Sequence, residues 1–262
     1  GAPLSIDWGP IYYPRVAGSM MHSTVTPEHL LEAPWDADNT SLNKPAGGGG
    51  RAHWWHTRHT PLVSRTDYAA ARASWRLRQA QPDKDVQWHR TVHSFRPDPA
   101  HPVFVIDDRF MGKDAVDLPM ISTLNLMAIG PVHAPAGPIT PERRTYDSRD
   151  KDNQQRPSTG QIIKLRPGLN RLQFSGQWLI DWDLYLDIDG PAEITIGNWG
   201  HTWAPNVERM EFRQSQNRPF EERQHILRVR AKHRFRTIIV PYRKGRRPEN
   251  LTVERKDGDV IV

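Results

Sequence analysis

The sequence contains no cysteine. Disulfide frameworks, zinc-thiolate clusters and cysteine nucleophiles are therefore excluded, and a metal site would need His, Asp or Glu ligands. No run approaches the roughly 20 apolar residues of a membrane-spanning helix. Residues 1–10 lack the basic and apolar regions of a signal peptide. We predict a soluble chain with no membrane partner. We also expect that it was cut from a longer protein at its start.

Apolar residues are few, at 37% of 262, but they include ten Trp, seven Phe and six Tyr, which supply enough large apolar surface for a core. Lys and Arg number 36 against 30 Asp and Glu, and Arg dominates. The planar Arg fork matches carboxylate and sulfate oxygens, so the bias favours a polyanionic partner; a merely solvated surface is the alternative. We predict no nucleic-acid partner, because no nucleic-acid-binding motif is present and acidic residues are interspersed throughout.

Short alternating or apolar runs separated by turn residues predict β-strands along most of the chain. Their spacing of about 8–12 residues is typical of a sandwich or a barrel. No heptad or long amphipathic helix is present. We predict an all-β fold, a large antiparallel β-sandwich (supersandwich-like) with little helix, closed by a hairpin that turns at Asp257 and Gly258. The runs that predict strands are 3–13, 20–25, 75–78, 86–93, 103–106, 160–165, 171–174, 182–188, 192–196, 225–230 and 237–242.

The predicted organisation has two β portions separated by an irregular excursion. Residues 1–135 form the first portion, with a long loop at 26–50 that ends in four glycines. Residues 136–159 are rich in Pro, Gly, Asp, Arg and Gln and form the excursion. Residues 160–262 form the second portion, which we expect to belong to the same sandwich.

A cluster of aromatic and imidazole side chains near residue 55 is the most unusual local feature. Trp54, Trp55 and His56 are predicted to bind substrate, because aromatic rings stack on sugar rings and imidazoles transfer protons or bind metal. A pair of core tryptophans with histidines at the edge is the alternative. His53 and His56 are three residues apart, which places them on opposite faces of a strand and argues against chelation by both.

A second aromatic group alternates along residues 197–203. Trp199, His201 and Trp203 would share one face of an extended strand. They are predicted to form a sugar-binding platform, and a stripe of core residues is the alternative.

Three stretches resemble one enzyme family. Asp7-Trp8-Gly9 followed by Met21-His22-Ser23, residues 90–96 with 103–109, and the closing run 237–245 are similar to strands of the heparinase II/III-like polysaccharide lyases. This group also includes alginate and oligoalginate lyases. The stretches resemble the C-terminal β-sandwich portion of those enzymes.

The resemblance implies a function and a partner. Family members carry an α/α toroid before the sandwich and cleave uronic-acid-containing chains by β-elimination: the carboxylate is neutralised, the C5 proton is removed and the 4-O group leaves. The chain is then expected to be the sandwich part of such a carbon-oxygen lyase, incomplete without a toroid domain or separate toroid chain. An acidic polysaccharide is the expected substrate, and a periplasmic or extracellular location is expected. A non-catalytic carbohydrate-binding or scaffolding module is the alternative.

The resemblance also implies a metal site. Some relatives bind a divalent metal in the sandwich, and Asp7 and His22 match an Asp and a His of that site. They are the expected ligands of zinc or calcium, and His22 is also the expected catalytic residue. The sequence departs from the family at Ser23, where Asn is frequent, and it lacks an upstream His. A buried, hydrogen-bonded His22 and an Asp7 that caps the turn at Gly9-Pro10 are the alternatives.

Overall fold

The fold was taken from a computed structural model. It describes residues 23, 25–28, 35, 54–77, 85–98, 101–115, 117–141, 145–147, 161–176, 179–203, 220–250, 252–257 and 259–261. For residues 54–63, 77, 97–98, 145–147, 199–203, 220–223 and 261 the description covers the backbone.

Seventeen strands make up nearly all of the regular structure in the described ranges. The strands are β1 Val25–Pro27, β2 Trp54–Ser64, β3 Tyr68–Leu77, β4 Gln87–Asp98, β5 His101–Met111, β6 Met120–Leu126, β7 Ala128–Ala134, β8 Gly137–Ile139, β9 Thr145–Asp147, β10 Ile163–Leu165, β11 Gly168–Gly176, β12 Ile180–Ile188, β13 Ala192–Trp203, β14 Phe220–Ala231, β15 Arg234–Arg243, β16 Glu254–Lys256 and β17 Asp259–Ile261. Within these ranges, no helix is long and apolar enough to cross a bilayer.

Two large sheets face each other. The larger has nine strands in the order β2-β3-β4-β5-β15-β12-β11-β7-β8, and the smaller has the order β1-β6-β14-β13-β10, with β9 added beside β13. All recorded pairings are antiparallel except that of β9 with β13. The prediction of an all-β sandwich with little helix is confirmed.

Strands from both ends of the chain are neighbours in each sheet. β5 pairs with β15 and β7 pairs with β11 in the larger sheet, while β6 pairs with β14 in the smaller one. Residues 136–159, predicted to be irregular, contribute the short strands β8 and β9. Residues 68–77 form one continuous strand, which is paired on both sides.

Alternation along the strands places one large core between the two sheets. On β12 the even-numbered residues Trp182, Leu184, Leu186 and Ile188 point inward, and on the opposing sheet Ile194, Ile196, Leu227 and Val229 do the same. Each is nearly or fully inaccessible to solvent. Burying a side chain of this size contributes about 2 kcal/mol, so this layer supplies most of the driving force for folding.

An ion pair anchors the edge of this core. Asp108 is buried on the inner side of β5 and accepts hydrogen bonds from Trp88 Nε1 at 2.6 Å and from Arg90 Nε at 2.7 Å. Arg90 Nη1 also donates to the carbonyl of Ser23 at 3.1 Å. The pair therefore ties the segment before β1 to the larger sheet.

The C-terminal hairpin β16-β17 covers part of the outer face of the larger sheet. It pairs with neither large sheet within the described residues. Val253 and Val260 instead pack on an apolar patch formed by Val103, Tyr185, Ile238 and Val240. Arg255 fixes it further through Asp187 at 3.3 Å and Asp189 at 2.8 Å. The hairpin thus forms a raised wall on an otherwise flat surface.

Candidate functional site

An open groove of about 670 Å³ lies beside this wall on the outer face of the larger sheet. Strands β3, β4, β5 and β15 form its floor and one side, and the hairpin β16-β17 forms the other side. Its lining residues are Asp67, Tyr68, His93, Phe95, Arg96, Val105, Asp107, Arg236, Asp259 and Val260.

Three rings form a continuous aromatic ridge along one side of the groove. Tyr68 lies opposite Phe95 in the β3-β4 register, with ring centroids 5.1 Å apart. His93 lies two residues before Phe95 on the same face of β4 and stacks on it at 5.9 Å, with 14° between the planes. Phe95 is 38% exposed. The ridge therefore presents an apolar ring face to the groove, which is the kind of surface on which sugar rings stack.

Tyr68 and His93 are joined by a hydrogen bond of 2.9 Å between the phenol oxygen and Nδ1. Burial lowers the pKa of His93; Asp107 opposes this effect and Arg72 adds to it. The imidazole is therefore neutral at pH 7. With its proton on Nε2, the imidazole accepts a hydrogen bond from the Tyr68 hydroxyl at Nδ1. The pair can hold or transfer a proton at the groove wall.

The groove also contains charged side chains, of which Arg96 and Asp107 differ in how they are paired among the described residues. Arg96 is exposed and its guanidinium makes no ion pair or hydrogen bond with the described residues. Asp107 accepts from Arg234 Nη2 at 2.6 Å and from Arg109 Nη2 at 3.2 Å, and Arg236 lies 3.5 Å from it. Burial would raise the pKa of Asp107, but the hydrogen bonds from Arg234 and Arg109 outweigh it and lower the pKa. Three guanidinium groups thus contact one carboxylate, but Arg236 also lies 3.5 Å from the buried Asp187, and Asp67 and Asp259 line the groove as well.

Two predicted site residues, Asp7 and His22, lie outside the described residues, so their roles stay predictions. Within the described ranges, no group of three or more His, Asp or Glu side chains is arranged to hold a metal ion.

The first predicted aromatic cluster lies on β2. The backbone of Trp54 pairs with Leu77 and that of Trp55 with Arg76, and His56 follows where the register shifts before Arg58. β2 is the edge of the larger sheet, one strand beyond the β3 strand that carries Tyr68. These three residues therefore lie in a strand, and their substrate-binding roles stay predictions.

The second predicted cluster lies at the end of β13 in the smaller sheet. Trp199, His201 and Trp203 occupy alternate positions whose partners on β14 are Gln224, Glu222 and Phe220. The extended run that the alternation required is therefore present. The structure places this cluster and Trp54, Trp55 and His56 in different sheets.

The smaller sheet is buried on its outer face as well. Thr123, Arg228 and Thr195 form a cross-strand row there and are at most 2% exposed. Polar residues on a buried face need partners, and Arg228 is among the residues that have one. The groove therefore lies on the more accessible of the two outer faces.

The residues of the groove were not singled out from the sequence. Tyr68, His93 and Phe95 are spread over two strands, and only the β3-β4 register brings them together. A signal was present in the alternation of His93 and Phe95 with Arg96 directly after them, which lies inside a stretch that resembles the lyase family. That pattern identifies a shared face but not the tyrosine on the neighbouring strand.

Comparisons with known proteins give weak structural resemblances. No family model and no curated protein matches the sequence. Among solved structures, the chain is similar to the heparan sulfate lyase HepC from Pedobacter heparinus, with 13% identity and a TM-score of 0.40 over 92% of this chain and 27% of that one. It is also similar to a heparinase III, with 11% identity and a TM-score of 0.38 over 92% of this chain and 28% of that one. The chain thus spans about a quarter of the length of these enzymes.

Proposed function

We propose that the chain is the β-sandwich part of a polysaccharide lyase that acts on an acidic, uronic-acid-containing glycan by β-elimination. The observation that carries the proposal is the groove itself, in which an exposed aromatic ridge lies beside Arg96, an arginine with no ion pair among the described residues. A sugar ring stacks on Phe95, and Arg96 neutralises a carboxylate on the same or the next sugar. The sequence resemblance to heparinase II/III-like lyases supports the reaction type.

The chemistry would be shared with a second domain. An α/α toroid, as a preceding domain or a separate chain, completes the cleft, and His22 acts as the acid-base residue. In the alternative role of His22, Asp7 and His22 would hold a divalent cation, zinc or calcium, which would supply a fixed positive charge in the sandwich. Trp54, Trp55, His56, Trp199, His201 and Trp203 extend the sugar-binding surface. Secretion to the periplasm or the extracellular space would match a polymeric substrate.

The test is a lyase assay on the protein together with its toroid. Cleavage by β-elimination creates a C4–C5 double bond in the product, whose ultraviolet absorbance is followed with several acidic polysaccharides. We expect absorbance to grow with at least one of them, and His22→Gln to abolish it. Phe95→Ala should raise KM with little change in kcat, because stacking holds the sugar equally in the ground state and the transition state. Absence of product with all acidic polysaccharides would contradict the proposal.

A non-catalytic carbohydrate-binding module is the second candidate. It is favoured by the fact that the described part of this chain already forms a groove, with lining residues from strands β3, β4, β5 and β15, from the hairpin and from Asp67 just before β3. Under this alternative the chain binds glycans alone, Phe95→Ala or Trp54→Ala weakens that binding, and no toroid confers activity. Binding to neutral glycans with the same affinity as to acidic ones would favour this candidate over the lyase.

A further inference from the structure

The groove opens at its Asp107 end onto a set of polar side chains that includes two arginines, which we name the cationic shelf: Arg72, His89, Thr91 and Arg109. The register Arg72↔Thr91 and Thr91↔Asp107 places the shelf directly beside the groove on the same face of the sheet. His89 lies opposite Arg109 in the next row. Groove and shelf therefore form one continuous track across β3, β4 and β5.

The two arginines of the shelf keep donors available to solvent. Arg72 is exposed and makes one side-chain hydrogen bond with the described residues, from Nε to Thr91 Oγ1 at 3.2 Å. Arg109 is 58% exposed and shares Asp107 with Arg234 and Arg236. Because Asp107 has two less exposed guanidinium partners, Arg234 and Arg236, it keeps ion pairs when Arg109 turns toward an incoming anion. The charge of Arg109 is then available to an incoming anion.

His89 adds a third nitrogen-bearing side chain to the shelf. His89 Nε2 is buried and has no hydrogen-bond partner among the described residues. Burial lowers the pKa of His89, and Arg72 lowers it further. A buried ring nitrogen without a partner is unusual in a folded protein, and an anion or a hydroxyl group from a ligand would satisfy it.

Distance sets the size of the ligand. Phe95 and Thr91 are four residues apart on the same face of β4, which corresponds to about 13 Å at a rise of about 3.3 Å per residue. One sugar ring does not span that length, but a short stretch of polymer does. Cations at both ends of the track suit a chain that carries acidic groups on more than one sugar.

We propose that the cationic shelf is a second anion subsite, which binds a carboxylate or sulfate group of the same glycan chain several sugars away from the ring stacked on Phe95. This inference rests on the proposed function, because it assumes that the groove binds a sugar. It makes the protein selective for oligomers over single acidic sugars.

The experiment measures the affinity of the chain for a size series of oligogalacturonides, which carry carboxylates alone, and of chondroitin sulfate oligosaccharides. The shelf variant is Arg72→Gln with Arg109→Gln. Its charge-matched control is Arg166→Gln with Arg246→Gln, two exposed arginines outside the groove and the shelf. Circular dichroism checks that each variant is folded.

We expect wild-type affinity to rise with oligomer length and the shelf variant to lose that rise, with at least about fivefold weaker binding of the longest oligomers and unchanged binding of the shortest. The salt dependence of binding should also become shallower, since fewer ion contacts form. A loss of binding confined to the oligogalacturonides identifies carboxylate as the preferred group, and a loss confined to the chondroitin sulfate oligosaccharides identifies sulfate. Equal behaviour of shelf and control variants overturns the inference. If Phe95→Ala still weakens binding in that case, the proposed function stands, and if wild-type protein binds neither series, the proposed function fails.

Discussion

At the scale of single residues, His225 shows how a buried side chain sets a pH limit on stability. Its Nε2 donates to the carbonyl of Gly130 at 2.8 Å, so its Nδ1 accepts from the amide of Asn198 at 3.0 Å. The histidine thus joins β14 of the smaller sheet to β7 of the larger one. Burial lowers the pKa of His225 to about 4, although the bond to Gly130 opposes the effect.

We expect this histidine to make the fold less stable in mild acid. The unfolded chain takes up the proton near pH 6.5 and the folded chain only near pH 4, so stability falls as pH drops through that window and the loss is complete below it. The full effect is about 3 kcal/mol. Urea unfolding between pH 7 and pH 4 should show a flatter pH dependence for His225→Gln than for wild type. The exposed His133→Gln is the control, and an unchanged slope in His225→Gln would contradict the assignment.

A second residue-scale prediction concerns Asp183, which is buried on the outer face of β12. It accepts from Arg171 Nη2 and Arg247 Nε at 2.8 Å each and from Tyr242 at 3.1 Å. Asp183→Ala leaves these donors without a partner, but the two arginines are 35% and 39% exposed and regain water, so we expect a loss of about 2 kcal/mol. The half-exposed pair of Asp189 with Arg255 gives the comparison, for which Asp189→Ala should cost less than about 1 kcal/mol. If calorimetry gave the same loss of stability for Asp183→Ala and Asp189→Ala, the burial of Asp183 would not be what makes its ion pairs stabilising.

At the scale of elements, strand positions could be predicted but their partners could not. Alternation identifies β4, β5, β12 and β15, because one side of each faces a core and the period of two is visible in the residues. The Asp257-Gly258 pair also predicted the last hairpin, and Asp257 does adopt a positive φ of 51°. The apolar patch under that hairpin was not predictable, since Val103, Tyr185 and Ile238 come from three strands that meet only in the sheet.

The hairpin β16-β17 is expected to be separable from the sandwich. It shares no strand pairing with either sheet in the described ranges, so a chain that ends at residue 250 should keep the far-ultraviolet spectrum of a β protein. It should also expose Val103, Ile238 and Val240, bind a hydrophobic dye and melt several degrees lower. Its affinity for glycans should fall, because Asp259 and Val260 form one wall of the groove.

A matched substitution separates the two effects of that truncation. Arg255→Gln removes the links to Asp187 and Asp189 but keeps the hairpin and its valines. It should lower the melting temperature by less than the truncation does. Unfolding of the whole sandwich on truncation would show instead that the hairpin is part of the main cooperative unit.

At the scale of the whole molecule, the order of the strands in the sheets is what could not be predicted from the sequence. Pairing of β5 with β15 joins residues more than a hundred positions apart, and nothing local in either strand identifies its neighbour. The same holds for the groove, whose Asp107 and Arg236 lie on these two strands. The candidate residues were chosen by local composition. For this reason Trp54 and Trp55 fall on the larger sheet, whereas Trp199 and Trp203 fall on the smaller one.

This topology predicts that the two halves of the chain depend on each other. The larger sheet takes β2 to β5 and β7 from the first half and β11, β12 and β15 from the second, and the smaller sheet is mixed in the same way. Neither 1–135 nor 160–262 can close a core alone, because each would leave the inner faces of β5, β6 and β12 without their neighbours.

We expect each half expressed separately to be aggregated or unfolded, and the intact chain to lose secondary structure and tryptophan fluorescence in a single coincident urea transition. The coincidence is informative because Trp88 lies on a first-half strand and Trp182 on a second-half strand, both buried in the shared core. Two separate transitions, or a stable half, would mean that the sandwich is built from two independent units and that the groove across β5 and β15 forms at a docking interface.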